Sequence, residues 1–383
     1  MDFDLGEQAA GLRRRLRELM ATHIAEGYLG AFTDDPADLD VAQRFCATLA
    51  EEGLLTLAWP TEYGGGGGSV WDQTVVREEM WAHHEPRGAQ YMGLNWVGPA
   101  IMAFGSDDQK RRHLSAIAAG RVIWCQGFSE PEAGSDLAAL RTRATPDGDG
   151  YRISGQKIWT SYAGMAQWCV LAARVGPGSR HEGITMFLVP MDAPGITVRA
   201  IRSMLGPHHL NEVFFDDVRV EADSVLGEVG QGWAVIRRAL AHERVGIARY
   251  ARGERLLSAL GRELAPHWSS LPASLHAQWA RALVQLRVAR LLAYRTVHAQ
   301  AAGEVPDVAA SAARIAVTQC DQQVAEVLFQ AVEEAALEAG PSAPLHGAVE
   351  DHWRYAQAAT VASGTIEVQR MIVSKALLGG GRP

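Results

Sequence analysis

The feature that most constrains the fold is the order in which two kinds of hydrophobic pattern follow one another. Apolar residues recur near helical spacing in residues 1 to about 120, as in Leu5, Leu12, Leu16 and Met20, and helical spacing returns from about residue 228. The segment between these regions carries short β-rich runs separated by turn clusters. Helices, then strands, then helices predict an α+β chain in which a β domain is inserted between two helical regions.

Six runs carry the strand pattern. Their lengths and the Gly, Pro and Asp clusters between them are typical of a small antiparallel barrel or sandwich. We therefore predict an N-terminal helical domain at 1–120, a middle β domain at 121–227 and a C-terminal helical domain at 228–383. The runs are VIWCQGF, YRISGQKIWTS, WCVLAARV, GITMFLVPM, ITVRAI and NEVFFDDVRV.

Charge and hydropathy argue against several classes of protein. The formal net charge is −8, which argues against nucleic-acid binding because phosphate contacts need clustered Lys and Arg. No apolar run approaches the ~20 residues of a membrane span. The N-terminus lacks the apolar stretch and cleavage site of a signal peptide.

The cysteine and histidine patterns predict neither disulfides nor a metal site. Cys46, Cys125, Cys169 and Cys320 are scattered and form no C-x-x-C pair, which is typical of reduced thiols in a cytoplasmic protein. The thirteen histidines show no spacing suited to metal ligation. The glycine run at 64–68 lacks the spacing of a dinucleotide fingerprint, so we expect a flexible loop there.

Two segments in the β region combine residue types suited to a flat ligand. CQGFSEPEAGSD, residues 125–136, follows a β run and is rich in small residues and hydroxyls, so its backbone N–H groups can approach a heterocycle closely. GQKIWTS, residues 155–161, offers an aromatic face beside two hydroxyls. Taken singly, the first could be an ordinary turn and the second a piece of core.

A third segment lies near the C-terminus. SGTIEVQR, residues 363–370, leads into an apolar helix, and Thr365 is placed to cap that helix. The free N–H groups of a helix N-terminus also suit a pyrophosphate. Capping alone and phosphate binding both remain open at this position.

In this order and spacing, the three segments resemble the acyl-CoA dehydrogenase family. The first is similar to that family's T/S-E-P-x-A-G-S-D signature, KIWTS to its second flavin motif, and the third to its G-T-x-x-x-Q-R segment. Three further stretches are also similar to that family: NEVFFDDVRV at 211–220, LGE at 226–228 and GQGW at 230–233. The resemblance covers nearly the whole chain.

The resemblance implies an N-terminal helical domain, a middle β domain and a C-terminal four-helix bundle, with FAD between the β domain and the bundle. Carried over residue by residue, it implies three groups of contacts to the flavin and one to the CoA part of the substrate. These are Gln126, Phe128 and Ser129 at the flavin edge, Trp159, Thr160 and Ser161 against the ring, Thr365 and Glu367 near the phosphate–ribose portion, and Ser135 near CoA.

The catalytic base is where the chain departs from the pattern. The implied reaction removes a proton alpha to the thioester and a hydride from the beta carbon, and the weakly acidic alpha proton needs a positioned carboxylate. In many family members that carboxylate directly precedes the Gly-Thr pair, but here the position is Ser363, which cannot act as a base unaided. Either the chain is not a dehydrogenase or its base lies elsewhere.

Glu243 is the candidate for that base. It falls on an apolar helical stripe, and a buried carboxylate is costly unless it is paired or functional. A structural ion pair with an arginine is the alternative. A branch of the family that includes isovaleryl-type and long-chain enzymes resembles this chain in placing its base on this helix just before an arginine, here Arg244, which would orient the site or its substrate. The stripe is Trp233, Ile236, Leu240 and Ile247.

A second departure concerns the subunit assembly. The family usually carries R-x-x-F-G and Q-x-x-G-G segments that reach the FAD of a neighbouring subunit. This chain has WSSLPASL at 268–275 and FQAVEE at 329–334 instead. The resemblance therefore implies a hetero-oligomer, α2β2, with a related chain that supplies those segments. The alternative is a homo-oligomer in which Arg281 or Gln330 takes their place.

The expected activity is FAD-dependent alpha,beta-dehydrogenation of an acyl-CoA, with electrons passing to an electron-transfer flavoprotein. The segment GFSEPEAGSD, residues 127–136, most resembles the corresponding segment of actinobacterial enzymes of sterol side-chain degradation. A non-catalytic partner subunit, and a flavin monooxygenase or nitroalkane oxidase on the same fold, remain alternatives. The acyl group and the choice of CoA over an acyl carrier protein stay open. We expect the cavity to involve Tyr91, Met92, Leu94, Asn95 and Trp96.

Overall fold

The computed structural model describes residues 5–30, 32–33, 35–178, 180–238, 248–304 and 306–379, except for the side chains of 206–208. The chain forms two compact units. The first comprises Met1–Gly30, Gly68–Pro86 and Glu243–Pro383, and the second comprises Ala31–Gly67 and Arg87–His242. The predicted boundaries near residues 120 and 227 stay predictions.

The regular secondary structure described in the first unit is entirely helical. Its long helices are rich in Ala or Leu, which have high helix propensity, and the helix that starts at Val70 begins at a capping box formed by Ser69 and Asp72. Among the described residues, no helix is long and apolar enough to cross a membrane. The helices of this unit are α1 (Gly6–His23), α3 (Val70–Ala82), α7 (Arg249–Leu264), α8 (Ala273–Ala301), α9 (Asp307–Val332), α10 (Ala348–Ala358) and α11 (Ile366–Leu377).

The second unit combines helices with a sheet. Its helices are α2 (Pro36–Glu51), α4 (Gln90–Met92), α5 (Gly98–Phe104) and α6 (Asp107–Ala118), with a π-helical turn at Gly93–Val97 joining α4 to α5. Its strands are β1 (Trp124–Gly127), β2 (Arg143–Asp147), β3 (Gly150–Lys157), β4 (Trp168–Arg174), β5 (Ile184–Pro190), β6 (Ile196–Ser203), β7 (Gly206–Glu221) and β8 (Val225–Leu226).

The sheet confirms the predicted insertion of strands between helices. Its order is β6-β7-β3-β2-β4-β5-β8, with β1 paired to β4. The sheet is mixed, since β1 and β2 each run parallel to β4 while the other pairs are antiparallel. Its core is formed by buried side chains such as Cys125, Ile153, Cys169, Phe187 and Val218. None of the four cysteines forms a disulfide.

Two details differ from the sequence prediction. Strand β3 ends at Lys157 and does not continue through Ser161, because Trp159 adopts a left-handed φ of 59° that a strand cannot accommodate. The glycine run forms the predicted loop, but part of that loop is closely packed. A Cβ on Gly65 would lie 2.1 Å from the carbonyl oxygen of Trp59, and the Gly65 N–H bonds the Pro60 carbonyl at 3.1 Å. These glycines allow close backbone approach.

A buried polar network ties the helices of the first unit together. The Arg249 guanidinium, 1% exposed, lies 2.5 Å from the Asp321 carboxylate and donates to the Thr318 hydroxyl at 3.0 Å. Tyr355 lies against the same guanidinium, with its ring centroid 5.5 Å away. A charge this deep is tolerated only while its partner is present.

We expect Asp321→Ala to lower the free energy of unfolding by about 3–5 kcal/mol, because it leaves the Arg249 charge buried and uncompensated. Chemical denaturation of the purified protein measures this. Glu326→Ala is the matched control, since Glu326 is exposed on the same helix and its loss should cost no more than about 0.5 kcal/mol. Equal stability of the two variants would contradict the role given to the ion pair.

Candidate functional site

A buried ion pair joins the first two sequence motifs. The Lys157 ammonium is fully buried and donates to the Glu130 carboxylate at 2.8 Å and to the Phe128 carbonyl at 3.0 Å. The same carboxylate accepts the backbone N–H groups of Arg141 at 2.6 Å and Thr142 at 2.9 Å. One carboxylate therefore holds the end of β3, the 128–133 turn and the segment leading into β2.

The electrostatics keep this pair charged. Burial alone raises the pKa of Glu130, but the Lys157 charge and the hydrogen bonds from Thr142 and Arg141 outweigh it, so the pKa of Glu130 is lowered. Burial lowers the pKa of Lys157, and Glu130 opposes that shift. Sequence reasoning missed both residues. Lys157 falls on the same face of the alternating strand pattern as the core residue Ile153, and a lysine at a core-facing position was the signal that could have revealed them.

The CQGFSEP segment is a tight, hydrogen-bonded turn. Glu130 and Ala133 exchange backbone hydrogen bonds of 3.0 Å, and the Ile158 N–H donates to the Ser129 carbonyl at 2.9 Å. Ser129 therefore lies beside the start of the IWTS stretch. Phe128 is nearly buried, and Gln126 is half-buried on the face of β1 opposite the core residue Cys125.

The WTS segment presents one exposed ring and one buried hydroxyl. Trp159 is 56% exposed, although the residues on either side of it are buried or half-buried. Thr160 is 1% exposed, and its hydroxyl has no hydrogen-bond partner among the described residues. Its backbone is fixed by Asn211, which donates to the Thr160 carbonyl from both its backbone and its side chain, each at 3.1 Å. A buried hydroxyl without a protein partner among the described residues is free to bond a water or a ligand atom.

The segment predicted to line a cavity lies in the same unit. Tyr91, Met92, Leu94, Asn95 and Trp96 are all buried on the helical stretch interrupted by the π-helical turn. The Tyr91 ring makes an edge contact with Tyr162, the residue after the WTS segment, with centroids 6.4 Å apart. π-Helical turns recur at functional sites because they redirect side chains. Ser135, by contrast, is exposed in the loop beyond the 130–133 turn.

The third motif lies in the first unit. Thr365 is the N-cap of α11, and its hydroxyl accepts the N–H of Val368 at 3.3 Å, so the capping interpretation is confirmed. The N–H of Ile366 bonds the Thr360 carbonyl at 3.2 Å. The Glu367 side chain is exposed. The start of a helix favours an anion, because the helix dipole places partial positive charge there.

Arg314 positions the approach to this cap, and sequence reasoning missed it. Its buried guanidinium donates to the carbonyls of Ala359 at 3.1 Å and Ala362 at 2.7 Å. The next residue, Ser363, adopts a left-handed φ of 59°. The arginine thus fixes the turn before Thr365. An arginine in the helical pattern of α9 gave no sign of this distant contact.

Glu243 and Arg244 lie outside the described residues, as do Leu240 and Ile247 of the predicted stripe. The part of the stripe that is described fits the expectation, because Ile236 is fully buried and Trp233 stacks on His181 with centroids 4.2 Å apart. Within the described ranges, no group of three or more His, Cys, Asp or Glu residues is arranged to hold a metal ion.

Comparison with known proteins covers nearly the whole chain. Residues 6–121 match the acyl-CoA dehydrogenase N-terminal domain, residues 125–218 the middle domain and residues 230–378 the C-terminal domain. The chain is 36% identical over 342 residues to acyl-CoA dehydrogenase IpdE1 of Mycobacterium tuberculosis, covering 86% of each protein.

Solved structures agree in fold over the full length. The steroid acyl-CoA dehydrogenase Tcur3481-Tcur3483 superposes with a TM-score of 0.91 at 30% identity, and the ChsE4-ChsE5 complex from Mycobacterium tuberculosis with a TM-score of 0.88 at 33% identity. Both comparisons cover 100% of this chain and of the other. With its motifs, its strand insertion and its three matched domains in agreement, the chain belongs to the acyl-CoA dehydrogenase family.

Proposed function

We propose that this protein binds FAD and dehydrogenates an acyl-CoA between the alpha and beta carbons. The observation that carries the proposal is the Thr160 hydroxyl, which is buried next to the exposed Trp159 and has no hydrogen-bond partner in the described part of the chain. A planar heterocycle with polar edge atoms fits that pair, because the ring can stack on the indole and an edge atom can bond the hydroxyl. When bound, FAD supplies the acceptor for the hydride that leaves the beta carbon.

The remaining contacts follow from where the residues lie. We assign Trp159, Thr160 and Ser161 to the flavin ring, and Gln126, Phe128 and Ser129 to its edge. The Glu130–Lys157 pair keeps these segments side by side through its bonds to the 128–133 turn and to β3. Thr365 and Glu367 are assigned to the phosphate–ribose portion, supported by their place at the start of α11, where the helix dipole favours an anion. Ser135 is assigned to the CoA part of the substrate.

Glu243 is proposed as the base that takes the alpha proton, with Arg244 orienting the site or its substrate. A hydroxyl such as that of Ser363 cannot take this proton without a base of its own. We further propose an acyl group of steroid side-chain type. One similar structure is that of a steroid acyl-CoA dehydrogenase, and the Tyr91–Trp96 segment supplies a buried, largely apolar wall. An electron-transfer flavoprotein is the proposed electron acceptor.

We expect Glu243→Gln to leave FAD bound and to slow its reduction by acyl-CoA by ~10²-fold or more, because the alpha proton then has no acceptor. Anaerobic loss of flavin absorbance measures the rate, with a panel of straight-chain, branched and steroid acyl-CoAs.

Ser363→Ala is the control for this experiment and should change the rate much less. Loss of reduction in the serine variant together with full rate in the glutamine variant would overturn the assignment. A colourless protein, even after FAD is added in the presence of its partner chain, would favour a non-catalytic subunit. Oxygen consumption without any other acceptor would favour an oxidase or monooxygenase.

We expect Thr160→Val to weaken FAD binding by about 0.5–1.5 kcal/mol, the contribution of one hydrogen bond. Without flavin, the Thr160→Val variant should melt no lower than the wild type, because the Thr160 hydroxyl has no partner among the described residues to lose. Thr160→Ser keeps the hydroxyl and should retain affinity. Equilibrium dialysis of FAD and thermal melting of the flavin-free forms check both parts. Unchanged affinity in the valine variant would remove Thr160 from the site.

The two segments that depart from the family pattern support a hetero-oligomer. Trp268 is engaged within its own chain, stacked on His276 with centroids 4.9 Å apart and edge-on to Trp279 at 5.2 Å. Glu333 and Glu334 are exposed just after α9, where carboxylates would repel a pyrophosphate. The first segment lacks the arginine of the family pattern, and the second lacks its glycine pair. Two similar structures, Tcur3481-Tcur3483 and the ChsE4-ChsE5 complex, each combine two differently named chains.

We expect this chain to hold FAD at full occupancy only with a related chain, as an α2β2 assembly with one FAD per heterodimer. Each missing polar contact costs about 0.5–1.5 kcal/mol, and more where the group is charged, so the chain alone should lose flavin readily. Native mass and flavin content per chain, measured with and without co-expression, provide the test. Full occupancy and activity in the chain expressed alone would show that Arg281 or Gln330 compensates in a homo-oligomer.

A further inference from the structure

A cleft in the first unit is lined by more arginines than carboxylates. It has a volume of about 600 Å³ and lies among α1, α3, α7 and α8. Its described lining includes five arginines and three glutamates, on a chain whose formal net charge is −8. The five are Arg13, Arg17, Arg255, Arg262 and Arg290.

The carboxylates in the cleft are already occupied. Glu79 is buried and accepts from Arg17 at 2.8 and 2.9 Å and from Arg13 at 3.0 Å. Glu78 is buried too, and it accepts the Tyr250 hydroxyl at 2.8 Å and pairs with Arg13. These bonds fix the floor of the cleft and leave little negative charge facing its mouth.

The third carboxylate, Glu254, is also committed. It pairs with Arg290 and, at 2.8 Å, with Arg287. None of the three glutamates therefore forms an ion pair with Arg255 or Arg262, and no other described carboxylate does so. Both arginines are exposed on α7.

Arg255 is held by a neutral group. Its guanidinium donates to Nε2 of His83, and Nδ1 of the same ring donates to the Glu79 carbonyl at 2.8 Å. Burial and the Arg255 charge lower the pKa of His83 to about 4, so the ring is neutral at pH 7 and accepts the bond. Burial, together with the nearby charges of Arg17 and Arg262, lowers the pKa of Arg255. Arg255 is thus oriented without being neutralised.

We propose that Arg17, Arg255 and Arg262 form a binding site for a phosphorylated small molecule, separate from the dehydrogenation site. Two helices bring three guanidinium groups to one concave surface, and guanidinium forks match the several oxygens of a phosphate bidentately. The cleft volume falls within the ~300–1,000 Å³ of small-molecule sites. Arg17 is 60% exposed, so it can reach a ligand while it remains on Glu79.

Calorimetric titration of the FAD-saturated protein with inorganic pyrophosphate and with ADP at low ionic strength tests this site. We expect both to bind the wild type, Arg262→Gln to weaken binding, and Arg255→Gln combined with Arg262→Gln to weaken it by about tenfold or more, because each loses charge-assisted hydrogen bonds. The Arg262 side chain makes no hydrogen bond or ion pair with a described residue, so its single variant should keep the fold intact.

Arg111→Gln is the matched control, since Arg111 is an exposed arginine on α6 paired with Asp108, and it should bind as the wild type does. No binding to the wild type, equal binding to the double variant, or equally tight binding of succinate would each overturn the proposal. The substitutions do not change residues 125–161 or Thr365, which are assigned to FAD. The variants can therefore be compared in the same titration even if the protein proves unable to hold FAD.

Discussion

The arrangement of the candidate site depends on one buried ion pair. Lys157 ends β3, and Glu130 opens the turn after β1, so their bond joins two segments that are 27 residues apart in the chain. Each charge would be costly alone in this interior. Here the Lys157 ammonium also donates to the Phe128 carbonyl, and the Glu130 carboxylate also accepts two backbone N–H groups. The pair therefore holds the 125–136 segment beside the 155–161 segment.

Buried charge serves a related purpose in the helical unit. Arg249 and Asp321 link α7 to α9, and Arg314 reaches carbonyls at the end of α10. These contacts set the turn that leads to Thr365, so the cap of α11 is placed by side chains far away in the sequence. Arg255 shows the opposite arrangement, because it is held at the surface by a neutral histidine and pairs with none of the described carboxylates.

Much of the fold followed from periodicity, because a period of 3.6 or 2 is local and each run of residues reports on itself. All six predicted strand runs contain strands of the sheet. The short strands β2 and β8 were not predicted, because strands of five and two residues are too short to show a clear alternation of apolar and polar residues. The end of β3 was placed too late, because the left-handed turn at Trp159 is held by the Asn211 backbone and side chain, which lie some fifty residues further along.

The sequence by itself determined the family, the helix–strand–helix order, the motif residues and the two segments that depart from the family pattern, since all of these are properties of contiguous residues. Only the tertiary structure decided that the buried Thr160 hydroxyl bonds no described residue, that Lys157 and Glu130 form a buried ion pair, and that Arg255 is held by a neutral histidine. These features depend on which distant groups meet and on how far water is excluded from them. Burial and the pairing of charges are set by packing between elements, and no local pattern encodes them.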